Sequence, residues 1–152
     1  MSFLIDTNVV SEGLRLKPDR RVDSFLMALK PNEQFYSVLS VGEIRLGIEK
    51  LPASKRKIKL ANWLDSDLRL NADGQILPVT VAICERWALM RVQANRTLPV
   101  IDSLIAASAL HHGFTLATRN TKDFAGLGFQ QNWRSHCRTT PTDETLQRRV
   151  PI

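Results

Sequence analysis

Four acidic side chains carry the chemistry that this sequence could perform: Asp6, Glu43, Asp102 and Asp123. Asp6 ends a short apolar run near the N-terminus, and Asp123 shortly follows a second such run, residues 114–118. Glu43 and Asp102 stand where helical patterns begin. Because ligands of parallel α/β sheets bind outside the carboxyl ends of the strands, we expect all four carboxylates at one edge of a sheet.

Carboxylates crowded in this way repel one another, and they cannot all stay ionised without a compensating charge. A bound divalent cation resolves the conflict. Oxygen ligands without histidine or cysteine suit Mg²⁺ or Mn²⁺. Such a site can activate water and stabilise the charge that develops on a phosphodiester. The four acids therefore predict metal-dependent phosphodiester hydrolysis.

Each acid also has a local explanation, and these alternatives stay open. Asp6 could form an Asx-turn or cap a helix, and Asp123 could be a turn residue. Ser40 and Glu43 have the spacing of a capping box. Asp102 could cap its helix or complement the helix dipole.

Other kinds of site find little support in the sequence. The two cysteines are isolated, and we expect Cys84 to be a small core residue. The three histidines lack the spacing of metal ligands, and no GxxxxGK[ST] or GxGxxG loop is present to hold a nucleotide. No serine or cysteine stands beside a histidine in a way that suggests acyl transfer.

The elements that must position the acids alternate between strands and helices. Apolar runs predict strands at 3–5, 34–40, 75–79 and 114–118. Helical spacing predicts helices at 23–29, 41–51, 58–68, 80–93 and 103–110, the last of them apolar almost all round and therefore buried. This alternation predicts a parallel sheet in an α/β sandwich.

The net charge of +6 favours a polyanionic partner, above all nucleic acid, although a basic surface can also simply keep a protein soluble. No apolar run approaches the roughly 20 residues of a membrane span, so we expect a cytosolic protein without membrane contact. After residue 129 the sequence turns polar and loses periodicity, and we expect a poorly ordered tail over 130–152.

Three segments together resemble a known family: "LIDTNVVSE", "SVLSVGEIRLGIEKLP" and "LPVIDSLIAASALHHGFTLATRNTKDFAGLG". They are similar to PIN-domain ribonucleases, specifically the VapC/FitB-like toxins of type II toxin–antitoxin modules. The resemblance implies a three-layer α/β sandwich with a central, mainly parallel sheet of four to five strands flanked by helices. It implies a PIN-like nuclease domain over 1–129, followed by a divergent polar tail over 130–152 in place of the usual last strand.

The same resemblance implies a Mg²⁺-dependent endoribonuclease, with Mn²⁺ as a substitute. Its catalytic and metal-binding residues would be Asp6, Glu43, Asp102 and Asp123. Its supporting polar residues would be Thr7, Asn8, Thr118 and Asn120. Its candidates for binding the RNA backbone are Arg119, Arg45, Lys55, Arg56, Lys57 and Lys59.

The resemblance also implies partners. A small VapB/FitA-like antitoxin would occupy the acidic cleft, RNA would be the substrate, and operator DNA would be bound only through the antitoxin. A homodimer in the cytoplasm of a bacterium or archaeon is expected. Two alternatives remain: a catalytically weak PIN-like module that binds nucleic acid or regulates, and a metal-dependent nuclease without a toxin role.

Overall fold

The computed structural model describes residues 1–69, 72, 74–94 and 96–120. The strands are β1 (Phe3–Ile5), β2 (Gln34–Ser37), β3 (Ile76–Leu77) and β4 (Thr115–Ala117). The helices are α1 (Thr7–Val10), α2 (Arg20–Ala28), α3 (Val38–Glu49), α4 (Lys55–Asn62), α5 (Val81–Ala94) and α6 (Val100–His112). A 3-10 turn over Ser11–Leu14 follows α1, a second over Pro31–Glu33 precedes β2, and a π-helical segment, Trp63–Leu68, follows α4.

The described strands form one parallel sheet in the order β3-β2-β1-β4. Leu4 in the middle of β1 is level with Phe35 on one side and Leu116 on the other. Because β1 is central, all three of its residues are buried. The predicted α/β sandwich with a parallel central sheet is confirmed, and four strands lie within the described residues.

Alternation along β1 divides the core into two layers, one on each face of the sheet. Phe3 and Ile5 face the cluster that contains Phe25 of α2. The rings of Phe3 and Phe25 pack edge to face, with their centroids 5.4 Å apart. Leu4 faces the opposite cluster, which contains Ile105 of α6. Side chains therefore pack against β1 on both faces of the sheet, up to the residue that Asp6 follows.

Helix α6 is the buried helix that its apolar sequence predicts. Its residues from Ile105 to Ala109 are all inaccessible. Gly113 ends it at φ +67°, a left-handed conformation that glycine adopts without strain. The N–H of Phe114 then donates to the carbonyl of Ala109 at 2.9 Å, which turns the chain directly into β4.

Two sequence-based expectations are wrong. Cys84 is exposed rather than part of the core, because Ile83 and Met90 form the inward face of α5. The boundary between the strand expected over 34–40 and the helix expected over 41–51 is also wrong. The strand ends at Ser37 and α3 begins at Val38, because the Ser37 hydroxyl caps the helix by accepting a hydrogen bond from the N–H of Leu39 at 3.2 Å.

The tail over 130–152 and the domain boundary before it lie outside the described residues and stay predictions. In the part that is described, none of the helices has the length and apolar character needed to cross a lipid bilayer.

Candidate active site

Asp6 stands at the carboxyl end of the central strand. Its N–H donates to the carbonyl of Ala117 at the end of β4 at 3.0 Å, so the two strand ends lie side by side. Its carboxylate is buried, with the residue only 3% exposed. The hydroxyl of Thr118 and the Nδ2 amide of Asn8 both donate to its Oδ2, each at 2.6 Å. The sheet therefore delivers Asp6 to its edge and two polar side chains fix it there.

Asn8 and Thr118 link the ends of two strands that are far apart in sequence. Asn8 Nδ2 also donates to the Thr118 hydroxyl at 3.1 Å, and Asn8 Oδ1 accepts the N–H of Arg119 at 3.0 Å. The N–H of Asn120 donates to the same hydroxyl at 3.0 Å. Three of the four residues predicted as a polar shell thus form one network around the carboxylate of Asp6.

Glu43 reaches the same place from α3. The Thr7 hydroxyl donates to its Oε2 at 2.6 Å, which ties the helix to the chain just beyond β1. The capping box proposed for Ser40 and Glu43 does not form, because α3 starts three residues earlier and Ser40 lies inside it. Glu43 therefore sits in the second turn of α3, and the helix cap does not use its carboxylate.

Asp6, Glu43 and Asp102 line one open cleft of about 650 Å³, the acidic cleft. Asp102 enters it from the first turn of α6. The other described residues around the cleft are polar or charged: Thr7, Asn8, Ser11, Arg15, Asp19, Arg21, Arg119 and Asn120. Asp123 lies outside the described residues, so its predicted place in the cluster stays a prediction.

Asp6 is costly to ionise in this position. Burial is the main cause that raises the pKa of Asp6 from an ordinary 3.8 to about 6, opposed by the hydrogen bond from Thr118. The negative charges of Asp102 and Glu43 raise it further. A cation in the cleft would remove this cost, because an adjacent positive charge favours the ionised form.

The donor chemistry of the cleft fits Mg²⁺, since the three carboxylates offer oxygen ligands and no histidine or cysteine is among the described residues that line the cleft. Within residues 1–120 as described, no group of three or more His, Cys, Asp or Glu side chains is placed so that it could hold a metal ion. The described acids thus have the ligand type of a magnesium site, and the predicted fourth acid, Asp123, lies beyond them.

Arginines line the cleft together with the acids. Arg119 and Asn120 lie where the sequence places them, directly after β4. Arg15 and Arg21 were not singled out from the sequence, nor was Glu12, a buried carboxylate that contacts both Arg15 and Arg119. The available signal was their position shortly after Asp6, on the chain that leaves the same edge of the sheet.

The remaining basic candidates lie away from the acidic cleft. Arg45 pairs with Asp65, and Lys57 donates to the carbonyl of Glu49 at 2.9 Å. Arg56 donates to the carbonyl of Leu14 at 3.2 Å. Lys55 and Lys59 are exposed on α4. The structure brings none of these five to the cleft.

Comparison with known proteins gives a consistent result. The model of the PIN domain family matches residues 3–130. VapC ribonuclease Y4jK of Sinorhizobium fredii is 35% identical over 136 residues, which is 86% of this chain and 97% of that protein. Toxin FitB of Neisseria gonorrhoeae is 36% identical over 125 residues, covering 80% of this chain and 90% of FitB.

Solved structures agree with the sequence relatives. The crystal structure of FitAcB from Neisseria gonorrhoeae superposes with a TM-score of 0.80 at 33% identity, covering 86% of this chain and 96% of that one. A toxin-antitoxin complex from Klebsiella pneumoniae superposes with a TM-score of 0.62 at 27% identity, covering 84% and 93%.

Proposed function

The chain belongs to the PIN-domain family, among its VapC- and FitB-like ribonuclease toxins, and we propose that it is a Mg²⁺-dependent endoribonuclease acting as the toxin of a type II toxin–antitoxin pair. The observation that carries this proposal is the buried Asp6 carboxylate, held at the end of the central strand in a cleft that it shares with Glu43 and Asp102.

The carboxylates of Asp6, Glu43 and Asp102, together with Asp123, would hold Mg²⁺, and Mn²⁺ would substitute for it. When bound, the cation supplies an acidified water and neutralises charge on the phosphate. The chain's own contribution is orientation. Thr118 and Asn8 fix Oδ2 of Asp6, while Thr7 fixes Oε2 of Glu43, so each of these carboxylates is oriented by hydrogen bonds from the chain itself.

The fixed hydrogen bonds favour a catalytic role over a purely structural one. A buried carboxylate with a raised pKa reduces stability at neutral pH, and a binding module would gain nothing from keeping it. A metal-dependent nuclease needs that carboxylate ionised in that position. The cluster of acids is therefore explained by catalysis.

We propose RNA as the substrate because the relative from Sinorhizobium fredii is named a ribonuclease. We propose a small VapB/FitA-like antitoxin as the partner, since the Klebsiella pneumoniae neighbour is a toxin-antitoxin complex. A guanidinium group of such a partner could enter the cleft and pair with its carboxylates. A homodimer, operator DNA bound only through the antitoxin, and a cytoplasmic location complete the proposal.

The decisive experiment is cleavage of RNA by the purified chain in Mg²⁺ or Mn²⁺, compared with EDTA. Asp6→Asn should abolish cleavage, and Glu85→Gln, an exposed acid on α5 outside the cleft, should leave it unchanged. Failure of the folded, metal-supplied wild-type chain to cleave any RNA would favour the nucleic-acid-binding alternative.

The toxin role needs a separate measurement, because a nuclease without that role would have the same site. Induced expression of the wild-type chain should arrest growth, and Asp6→Asn should relieve the arrest. Cleavage in vitro without growth arrest by an equal amount of folded protein would favour the nuclease without a toxin role.

A further inference from the structure

We propose that Glu12 is a positioning residue that holds Arg15 and Arg119 on one wall of the acidic cleft, where the two arginines bind phosphates of the RNA backbone. This inference rests on the proposed function and specifies the part of the site that takes the substrate's backbone.

Glu12 is a buried carboxylate with unusual partners. The residue is 3% exposed, and its Oε1 accepts the N–H of Asp19 at 3.0 Å. Its Oε2 meets Arg15 Nε at 3.2 Å and also accepts a hydrogen bond from Nη1 of Arg119. An unpaired charge in this position would be strongly unfavourable, and the two arginines are the partners that compensate it.

Two arginines share the single negative charge of Glu12, so within this group of three described residues one positive charge remains. The side chain of Arg15 is 63% exposed and that of Arg119 is 34% exposed, although Glu12 beneath them is buried. Both line the acidic cleft. Their guanidinium groups are thus anchored from below and open towards the cleft, the arrangement that suits bidentate binding of a phosphate.

Arg119 is fixed at both ends relative to the acids. Its N–H donates to Asn8 Oδ1 at 3.0 Å, and its neighbour Thr118 donates to Asp6. Glu12 holds the far end of the side chain. A guanidinium placed in this way loses little conformational entropy when it binds, because its rotamer is already set.

The third arginine of the wall has a different environment. Arg21 makes two hydrogen bonds to the carboxylate of Asp19, at 2.8 and 3.1 Å, so that pair carries no net charge. The surplus positive charge of the wall lies on Arg15 and Arg119. Among the described residues that line the cleft, these two are therefore the cations that can offset the repulsion between RNA and the carboxylates.

The first test measures binding without cleavage. In an Asp102→Asn background with Mg²⁺, the fluorescence anisotropy of a labelled single-stranded RNA is followed over a range of salt concentrations. Arg15→Ala and Arg119→Ala should each raise Kd about tenfold. Each should also make the dependence of log Kd on log salt shallower by about 0.7, the value for one phosphate contact on a single strand.

Arg86→Ala, an exposed arginine on α5, is the matched control and should change neither quantity. Unchanged Kd and salt dependence in both folded arginine variants would overturn the proposal. A loss of binding on replacing Lys55 and Lys59 of α4, with Arg15 and Arg119 dispensable, would overturn it as well and place the backbone on α4.

The second test addresses Glu12 in the otherwise wild-type chain. Glu12→Gln keeps an acceptor for the N–H of Asp19 but removes the charge that holds the arginines. It should raise KM about tenfold and leave kcat within about twofold, the pattern of lost substrate binding. In a chain that already carries Arg15→Ala and Arg119→Ala, it should have no further effect on KM. A purely structural Glu12 would lower Tm and leave the KM of the folded protein unchanged, which would overturn the role assigned to it.

The two tests separate this inference from the proposed function. If the wild-type chain cleaves RNA but the Kd for RNA does not change on replacing Arg15 or Arg119, only the inference is overturned. Binding that depends on both arginines, in a wild-type chain that cleaves no RNA in Mg²⁺ or Mn²⁺, would overturn only the proposed nuclease.

Discussion

Replacing Asp6 by asparagine should stabilise the metal-free protein at neutral pH while abolishing its activity. The pKa of Asp6 in the folded protein is raised from 3.8 to about 6, chiefly by burial. The folded state therefore holds the proton more tightly than the unfolded state between about pH 4 and pH 6, and stability falls as the pH rises through that interval. Above pH 6 the whole cost of the buried charge is present, and asparagine removes it.

The size of the effect follows from the same values. A difference of about 2 in pKa corresponds to about 3 kcal/mol. Asparagine gives some of this back. Its side-chain oxygen can accept from Thr118 and Asn8, but its neutral amide is a poorer partner than the carboxylate for the backbone N–H of Thr7, which lowers the pKa of Asp6. A mismatch of that kind costs about 1 kcal/mol. The net gain at pH 7.5 is therefore about 2 kcal/mol, or about 5 °C in Tm for a chain of this size.

The assay is thermal unfolding in EDTA at several pH values, with the wild-type chain, Asp6→Asn and Glu85→Gln compared at each pH. The gain of Asp6→Asn should be present at pH 7.5 and absent at pH 4, where the wild-type carboxyl group is already neutral. Glu85→Gln, an exposed acid, should show no such pH-dependent difference. A difference between Asp6→Asn and wild type that stays constant from pH 4 to pH 7.5 would refute the reasoning.

Three further substitutions test the scaffold of the site. Thr118→Val removes the hydroxyl that joins Asp6 to Asn8 and should lower cleavage about 10- to 100-fold in a folded chain; unchanged kcat/KM would contradict the network. Phe25→Ala should lower the free energy of unfolding, measured with urea, by about 3–5 kcal/mol, because the ring is buried against Phe3 of β1. A loss below about 1 kcal/mol would contradict that packing. Gly113→Ala should lower the free energy of unfolding by about 1 kcal/mol through backbone strain at φ +67°, because an added Cβ would meet no atom of the described residues within 4 Å. No change in Tm would be inconsistent with the left-handed helix end.

The parts of the fold that could be predicted are those fixed by local patterns. The apolar run 3–5 is buried on both faces and so could only be a central strand, and the all-apolar helix before Gly113 could only be internal. Since the ends of parallel strands share one edge, Asp6 and Thr118 were expected to meet, and they do. The sequence also placed Glu43 and Asp102 at this edge, and both line the cleft that contains Asp6, while their catalytic role stays a prediction.

The wall of arginines could not be predicted in the same way. Glu12 lies in a 3-10 turn after a helix of four residues, too short for any hydrophobic period to show which side faces inward. Its burial depends on Arg119, more than a hundred positions away, and nothing local signals that contact. The sequence instead favours the basic run 55–59 as an RNA-binding surface, because charge density is visible in a sequence whereas the direction of a side chain is not.

Glu43 shows why a local rule fails at this particular place. The spacing from Ser40 satisfies a capping box, and a free helix could have used it. Ser37, the last residue of β2, caps α3 instead, so the helix begins about one turn earlier. Glu43 then accepts a hydrogen bond from the hydroxyl of Thr7. The contact between Thr7 and Glu43 forms directly beside Asp6, at the end of β1. The carboxylate of Glu43, which a capping box would have placed at the helix end, therefore lines the cleft instead. Departures from local sequence rules are expected at functional sites, and the missing capping box at Glu43 is a departure of this kind.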